Sequence, residues 1–562
     1  MIHPERWIEH LNIIYKDNQV AKDMAIRMMA KFAKYDGQPR NAVQLNERDS
    51  ILITYGDTLV KDGEKGFQTL HEFLKHFVKD AISTVHILPM FPYTSDDGFS
   101  VVNYLEINPE LGSWEEVKKL AGDYGLMFDA VINHISRSSQ WFKKYLACEP
   151  PYTDYFITSD PSADYRSVTR PRALPLLTCF STKEGDKYVW TTFSEDQVDL
   201  NYRCPDVMID MLDVLLLYAT NGARFIRLDA IGFLWKELGT TCMHLPEAHE
   251  MIKLARTVLE DYVPGTMIIS ETNVPHKDNI SYFGNGYDEA HLVYQFPLPP
   301  LVMFTLLKGN ARHLTQWADT LDPPKPETAY FNFLSSHDGI GIRPTEGILN
   351  KEEQQYLVDA TLRNGGVVSY KDNGDGTRSP YELNINYQDA LASPEDSDEI
   401  RISRFLAAQT ILLSMQGLPG IYIHSLLGSR NDYYGKTISG IPRRINREKL
   451  DVEKLEAALT GESNRRLIFN ELLRRLKLRS LHPSFSPDAA QEIIKLDDHV
   501  FALSRISMNG EEKMTVVINV SGDTVIVEDD RLDGFDLLSN SSTTKTVVLL
   551  KYQCRWIICQ EG

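Results

Sequence analysis

Apolar residues fall along this chain into short β-rich runs, separated by stretches in which they recur at helical spacing. The runs are SILITYGD (50–57), STVHILPM (83–90), GLMFDAVINH (125–134), ARFIRLDA (223–230), TMIISET (266–272), HLVYQF (291–296), YFNFLSSHD (330–338) and PGIYIHSLLG (419–428). Between most of them lie amphipathic segments such as SWEEVKKLAGDY and DVMIDMLDVLLLYATNG. Strands that are apolar on both faces need cover on both sides, and crossover helices supply the outer layer. About eight β/α units in series predict an α/β fold, a closed parallel (β/α)8 TIM barrel. Its segments are residues 46–140, 203–342 and 396–487.

Two segments break the rhythm and predict inserted loop subdomains. Residues 141–202 are rich in aromatics and proline and follow the third run; residues 343–395 follow the seventh and contain YKDNGDGTRSPYELNINYQDAL, whose Gly, Asn, Asp and Pro mark a long structured loop. From 488 to 562 the pattern shortens to HVFALSRIS, KMTVVINVSG, DTVIVED and TKTVVLLKYQCRWIIC, which predicts a C-terminal antiparallel, sandwich-like β domain. Residues 1–45 read as a helical extension outside the barrel. No internal repeat, phosphate-cradling GxxxxGK or GxGxxG signature is present.

Composition narrows the partners. Lys and Arg number 59 against 78 Asp and Glu, a net charge of −19 that repels nucleic acid and anionic membranes. The start, MIHPERWIEHLNIIYKD, lacks the pattern of a secretory signal, and no apolar run is long enough to span a bilayer, so the expectation is a cytoplasmic protein. The six cysteines are scattered without zinc-ligand spacing, which predicts buried, reduced thiols and no metal site.

Several runs gain polar residues at their C-terminal ends: Asp129, Asn133 and His134; Arg227 and Asp229; Glu271; His337 and Asp338. In a parallel barrel that end is the mouth, where such side chains avoid the desolvation they would meet in mid-barrel. Acids facing across a bond are the minimum equipment for cleaving a glycosidic link, one ionised and one protonated. Arg227, two residues before Asp229 on one strand, faces the same side and is expected to keep Asp229 ionised. Glu271, crowded by other acids, is the candidate for a raised pKa and hence for the general acid.

DAVINH, ARFIRLDA, SETNVP and FLSSHD resemble, in order, the four short regions of the α-amylase superfamily. The resemblance implies Asp229 as nucleophile, Glu271 as general acid/base and Asp338 as the acid that stabilises the transition state. His134 and His337 would bind the same glucosyl unit and Arg227 would orient the nucleophile. SDDGFSVVNY, TRPRALP, VWTTFSEDQVDLNY, RLDAIGF, SSHDGIG, GSRNDYYG and RRINR are similar to the sucrose phosphorylase subfamily. That likeness implies Asp96 on the far sugar hydroxyls, Phe99 as a platform under the ring and Gln197 near the sugar. Phe233 departs from it by standing where the subfamily usually has tyrosine. ETNVPHKDNISYFGNGYDEAHLVYQFPLPPLV and DGTRSPYE resemble the glucosylglycerate phosphorylase branch.

The branch implies reversible, retaining phosphorolysis of 2-O-α-glucosylglycerate through a covalent glucosyl-enzyme, with inorganic phosphate as co-substrate and no cofactor. The partners are then a small α-glucoside and phosphate, and a homo-oligomer stays open. Phosphorolysis of glucosylglycerol, sucrose or sucrose 6-phosphate, simple hydrolysis, and a non-catalytic binding role are the alternatives. Phosphate near these carboxylates needs local cations, and arginine's planar fork suits an oxyanion. The resemblance favours Arg172 and Arg443 for the phosphate and acceptor side, ahead of Arg170, His276, Lys277, Lys371, Arg378 and Arg444. Glycerate is itself an anion, so the same cations could serve both half-reactions.

Overall fold

All eight apolar runs become strands of one closed parallel barrel in the computed structural model, which describes residues 2–38, 44–172, 174–372, 377–393 and 395–559. The strands are β1 (Ile51–Thr54), β2 (Thr84–Ile87), β3 (Gly125–Ala130), β4 (Ala223–Leu228), β5 (Met267–Ser270), β6 (Leu292–Tyr294), β7 (Ala329–Phe333) and β8 (Leu418–Tyr422). Each pairs in parallel with its sequence neighbours, and β8 closes on β1 with Ile51 opposite Gly420. Their near-continuous burial follows from helices outside and packed side chains within. Gly420 is needed where β8 passes β7, since a Cβ there would meet the Phe331 ring at 2.4 Å.

The N-terminal residues form α1 (Pro4–Tyr15) and α2 (Asn18–Phe32), joined where Lys16 turns left-handed and Asp17 caps α2 by accepting from the Gln19 and Val20 amides. They bury Trp7, Leu11 and Ile14, then Ala21, Met24, Ala25, Met28 and Phe32, a helical stripe against the barrel's outer helices α3 (Pro205–Thr220) and α4 (Pro246–Tyr262). A charge ladder flanks the stripe. Arg27, Lys31 and Lys34 pair with Asp206, Asp210 and Asp213, so α2 and α3 run in register.

After β3 the chain forms a helix (Gln140–Leu146), a hairpin (Leu177–Thr182 with Gly185–Trp190) and a short strand (Gln197–Asp199) that returns to pair with His134–Ser136. After β7, Ile340–Gly341, Arg378–Asn384 and Val367–Asp372 make a three-stranded sheet. Parts of the expected 1–45 extension and 343–395 insertion, residues 39–43, 373–376 and 394, lie outside the described residues. The C-terminal strands form six- and two-stranded antiparallel sheets. Trp556 fastens them to the barrel by donating to the Ser414 hydroxyl at 2.9 Å. The six cysteines are free; against the expectation of burial, only Cys204 and Cys242 are buried, Cys148, Cys554 and Cys559 are half-buried, and Cys179 is exposed in the solvent-facing hairpin. Among the described residues no helix is long and apolar enough to cross a membrane.

Candidate active site

The strand ends deliver the acids to one cavity of about 240 Å³, which is lined by every predicted site residue: Asp96, Phe99, His134, Arg172, Gln197, Arg227, Asp229, Glu271, His337, Asp338 and Arg443. Asp229 and Glu271 each stand one residue past a strand. Their amides extend the barrel ladder, donating to Ala130 O at 3.2 Å and Leu228 O at 3.1 Å. Ala230 then turns left-handed (φ 53°), a conformation that costs a non-glycine residue about 1–2 kcal/mol. This turn aims the Ala230 amide at Glu271 Oε2, 3.2 Å away.

Arg227 is the cation beneath the acids. Its Nη1 bonds Asp129, its in-register neighbour on β3, and Asp229 Oδ1 at 3.0 Å, while Nη2 lies 3.9 Å from Glu271 Oε2. Burial pushes the Asp229 carboxyl up, Arg227 opposes it and the Glu271 charge adds to it; the outcome is a raised pKa. Arg227 thus does not hold Asp229 low as expected, because burial outweighs the pull of a charge that Arg227 also shares with Asp129, which itself accepts from His86 at 2.7 Å. Glu271 is raised as well, by burial against the pull of Arg227 and with the push of Asp338. Two adjacent raised carboxyls compete for protons, the condition for one to stay protonated while the other ionises.

Asp338 behaves oppositely. Burial would raise it, but the guanidinium groups of Arg443 and Arg447 hold it well below the carboxylate range. Arg443 Nη1 reaches Asp338 Oδ1 at 2.6 Å and also grips Glu382 through Nε (3.1 Å) and Nη2 (2.9 Å). His337, stacked on Phe99 at 4.8 Å between centroids, is driven by burial down to about 3 and stays neutral. Asp96 is likewise held low against burial by Arg172 and Arg443. Its Oδ2 accepts from Arg172 Nη2 at 2.8 Å and Gln197 Nε2 at 3.4 Å. Gln197 also donates to the Phe99 carbonyl at 3.1 Å, beside His134 Nε2, which lies 2.9 Å from the same oxygen.

The stretch SDDG explains how neighbouring aspartates serve different partners. Asp96 (φ 55°), Asp97 (φ 49°) and Gly98 (φ 111°) are all left-handed. Asp96 faces the cavity, whereas Asp97 pairs with Arg444 and Arg447. Of the remaining basic candidates, Arg170 and Lys371 line the cavity, while His276, Lys277, Arg378 and Arg444 do not. Pro275 starts a helical turn (His276–Ile280) just past Glu271, and the His276 ring packs near Tyr330. Sequence reasoning missed Glu382, Tyr381, Asn273 and Arg343 in the cavity wall and Arg447 behind it; DGTRSPYE and RRINR contained the first two and the last, without showing their partners. Among the described residues no group of three His, Cys, Asp or Glu is arranged to hold a metal.

Buried, proton-sharing carboxylates at the C-terminal mouth of a (β/α)8 barrel define the class of enzymes that act on glycosidic bonds. The family model described as "Alpha amylase, catalytic domain" matches residues 66–352. A glucosylglycerate phosphorylase of Allomeiothermus silvanus is 47% identical over 554 residues, 98% of each chain. One of Escherichia coli K12 is 46% identical over 91% of this chain and 92% of that protein. The crystal structure of a sucrose 6F-phosphate phosphorylase from Thermoanaerobacter thermosaccharolyticum superposes with a TM-score of 0.75 at 24% identity, covering 92% of this chain and all of that one. The chain belongs to the α-amylase family, in the branch of the glucosylglycerate phosphorylases.

Proposed function

We propose that this protein catalyses the reversible phosphorolysis of 2-O-α-glucosylglycerate to α-glucose 1-phosphate and glycerate, inside the cell. The observation that carries this reading is the 47% identity to a glucosylglycerate phosphorylase across 98% of both chains. The site supplies matching chemistry. Asp229, ionised, attacks the anomeric carbon while Glu271 gives its proton to the departing glycerate oxygen, leaving an inverted glucosyl ester. Phosphate then attacks the same carbon, its proton passes to Glu271, and the second inversion restores the α configuration. The Ala230 amide and Arg227 stabilise Glu271 as it gains negative charge in the first step. Asp338, Asp96, His134, His337 and Gln197 hold the sugar over Phe99, and the low pKa of Asp338 keeps an anion facing the developing oxocarbenium charge. Arg172 and Arg443 serve the phosphate side by exchanging a carboxylate partner for phosphate.

The test is release of α-glucose 1-phosphate from glucosylglycerate, glucosylglycerol, sucrose and sucrose 6-phosphate, each with and without phosphate. Phosphate-dependent release with the highest kcat/KM on glucosylglycerate is expected. A higher kcat/KM on any other donor, or release of free glucose at equal rate without phosphate, overturns the reading.

A further inference from the structure

The cavity wall contains cations of two kinds. Arg172, Arg227 and Arg443 are each bonded to carboxylates, and Arg170 donates to the Leu174 carbonyl. Arg343 and Lys371 also line the cavity, and among the described residues neither makes an ion pair or side-chain hydrogen bond. Both belong to the elements that follow β7. Lys371 sits on Val367–Asp372, which pairs with Arg378–Asn384; that strand pairs in turn with Ile340–Gly341, and Arg343 begins the short helix just after it. The same small sheet carries Tyr381 and Glu382 into the wall.

This sheet lies against the loop that leaves Glu271. A Cβ added to Gly341 would meet Asn273 Nδ2 at 2.9 Å, so the segment leading to Arg343 touches the residue two places beyond the proton donor. Asn273 lines the cavity, and its Oδ1 is buried with no hydrogen-bond partner. A buried polar atom left alone costs about 1–3 kcal/mol. Beside a proton donor, such groups match a leaving group that is both anionic and hydroxylated.

We infer that Arg343 and Lys371, with Asn273 beside them, form the subsite that recognises the carboxylate and hydroxyl of a small hydroxy acid and so select a charged acceptor over its neutral counterpart. This rests on the proposed function and deepens it. Arg172 and Arg443 are already neutralised by the sugar-side carboxylates, so they discriminate less between acceptors. A carboxylate entering between Arg343 and Lys371 gains charge-assisted hydrogen bonds without breaking an existing pair.

The test runs the reaction in the direction of synthesis, with α-glucose 1-phosphate fixed as donor and D-glycerate or glycerol as acceptor, so that any effect on phosphate cancels between the two. For the wild type, kcat/KM is expected to favour glycerate. In R343Q, K371Q and the double variant the glycerate-to-glycerol ratio should fall at least tenfold, largely through KM for glycerate, while R343K keeps most of it. Turnover of α-glucosyl fluoride, whose leaving group is neither phosphate nor glycerate, is measured alongside; a fall parallel to that of the glycerate reaction overturns the inference, because it places the damage on the sugar side. A glycerate preference retained in all variants overturns this inference alone. A wild type that prefers glycerol overturns the functional reading and this inference with it.

Discussion

Asp96, His134, Gln197, Arg227 and Asp338 are bonded to other protein groups before any sugar arrives, whereas Arg343, Lys371 and the Asn273 carbonyl oxygen have no side-chain partner among the described residues. In the proposed mechanism the first set meets the glucosyl unit, which is the same in donor, intermediate and glucose 1-phosphate. A network already satisfied keeps fixed geometry and needs little reorganisation in the transition state. The second set faces the group that changes between the half-reactions. There, unsatisfied donors favour whichever partner completes them, so selectivity resides in the incomplete part of the site.

The sharpest way to break this contrast is at Glu271, the proposed proton donor between the two sets. Glu271→Gln should lower kcat/KM on glucosylglycerate about 100- to 10,000-fold, the usual worth of general acid catalysis. Formation of the glucosyl-enzyme from α-glucosyl fluoride, whose leaving group needs no proton, should suffer far less in a rapid-quench measurement. Arg172→Ala strips Asp96 of its 2.8 Å partner and should cost about 1–3 kcal/mol, or about 10- to 100-fold in kcat/KM. Because Asp96 belongs to the sugar side, charged and neutral donors should lose equally, with a further loss in kcat/KM for phosphate, which Arg172 is proposed to serve; a loss confined to charged donors would move Arg172 to the other set.

A third prediction concerns stability. The folded pKa of Asp229 lies above the value near 4 of an unfolded aspartate, so this carboxyl favours the folded state in acid and weakens it as pH rises from about 4 toward the folded pKa. Asp229→Asn should abolish turnover yet stabilise the fold, on the order of 1–3 kcal/mol at pH 8 and little at pH 5. Paired thermal melts at the two pH values check this. The smallest effect belongs to the satisfied pairs far from the cavity: Arg27→Gln, in the ladder outside α3, should change stability by less than about 1 kcal/mol and leave kcat/KM unaltered.

The barrel was legible because its strands are apolar on both faces and its chemistry stands at their ends; Asp229 and Glu271 follow the last strand residue directly. What the sequence hid is pairing across distance. Nothing near Arg443 announces Glu382, 61 positions earlier, and nothing near Arg172 announces Asp96. Which cations are already neutralised is a tertiary fact, so Arg343, a lone arginine in GIRP, gave no signal. His276 and Lys277 misled for the converse reason. They adjoin Glu271 in sequence, but one turn of helix after Pro275 takes them out of the cavity wall.

The paired aspartates of SDDG also set a timetable. Asp96 finds Arg172 after 76 residues, but Asp97 waits for Arg444 and Arg447, 347 and 350 residues downstream. On the ribosome, at about 5–20 residues per second, that interval is tens of seconds during which the loop carries an unpartnered charge beside two left-handed residues. The mouth of the enzyme is therefore completed only after all eight barrel strands have been made, and before the C-terminal sheets.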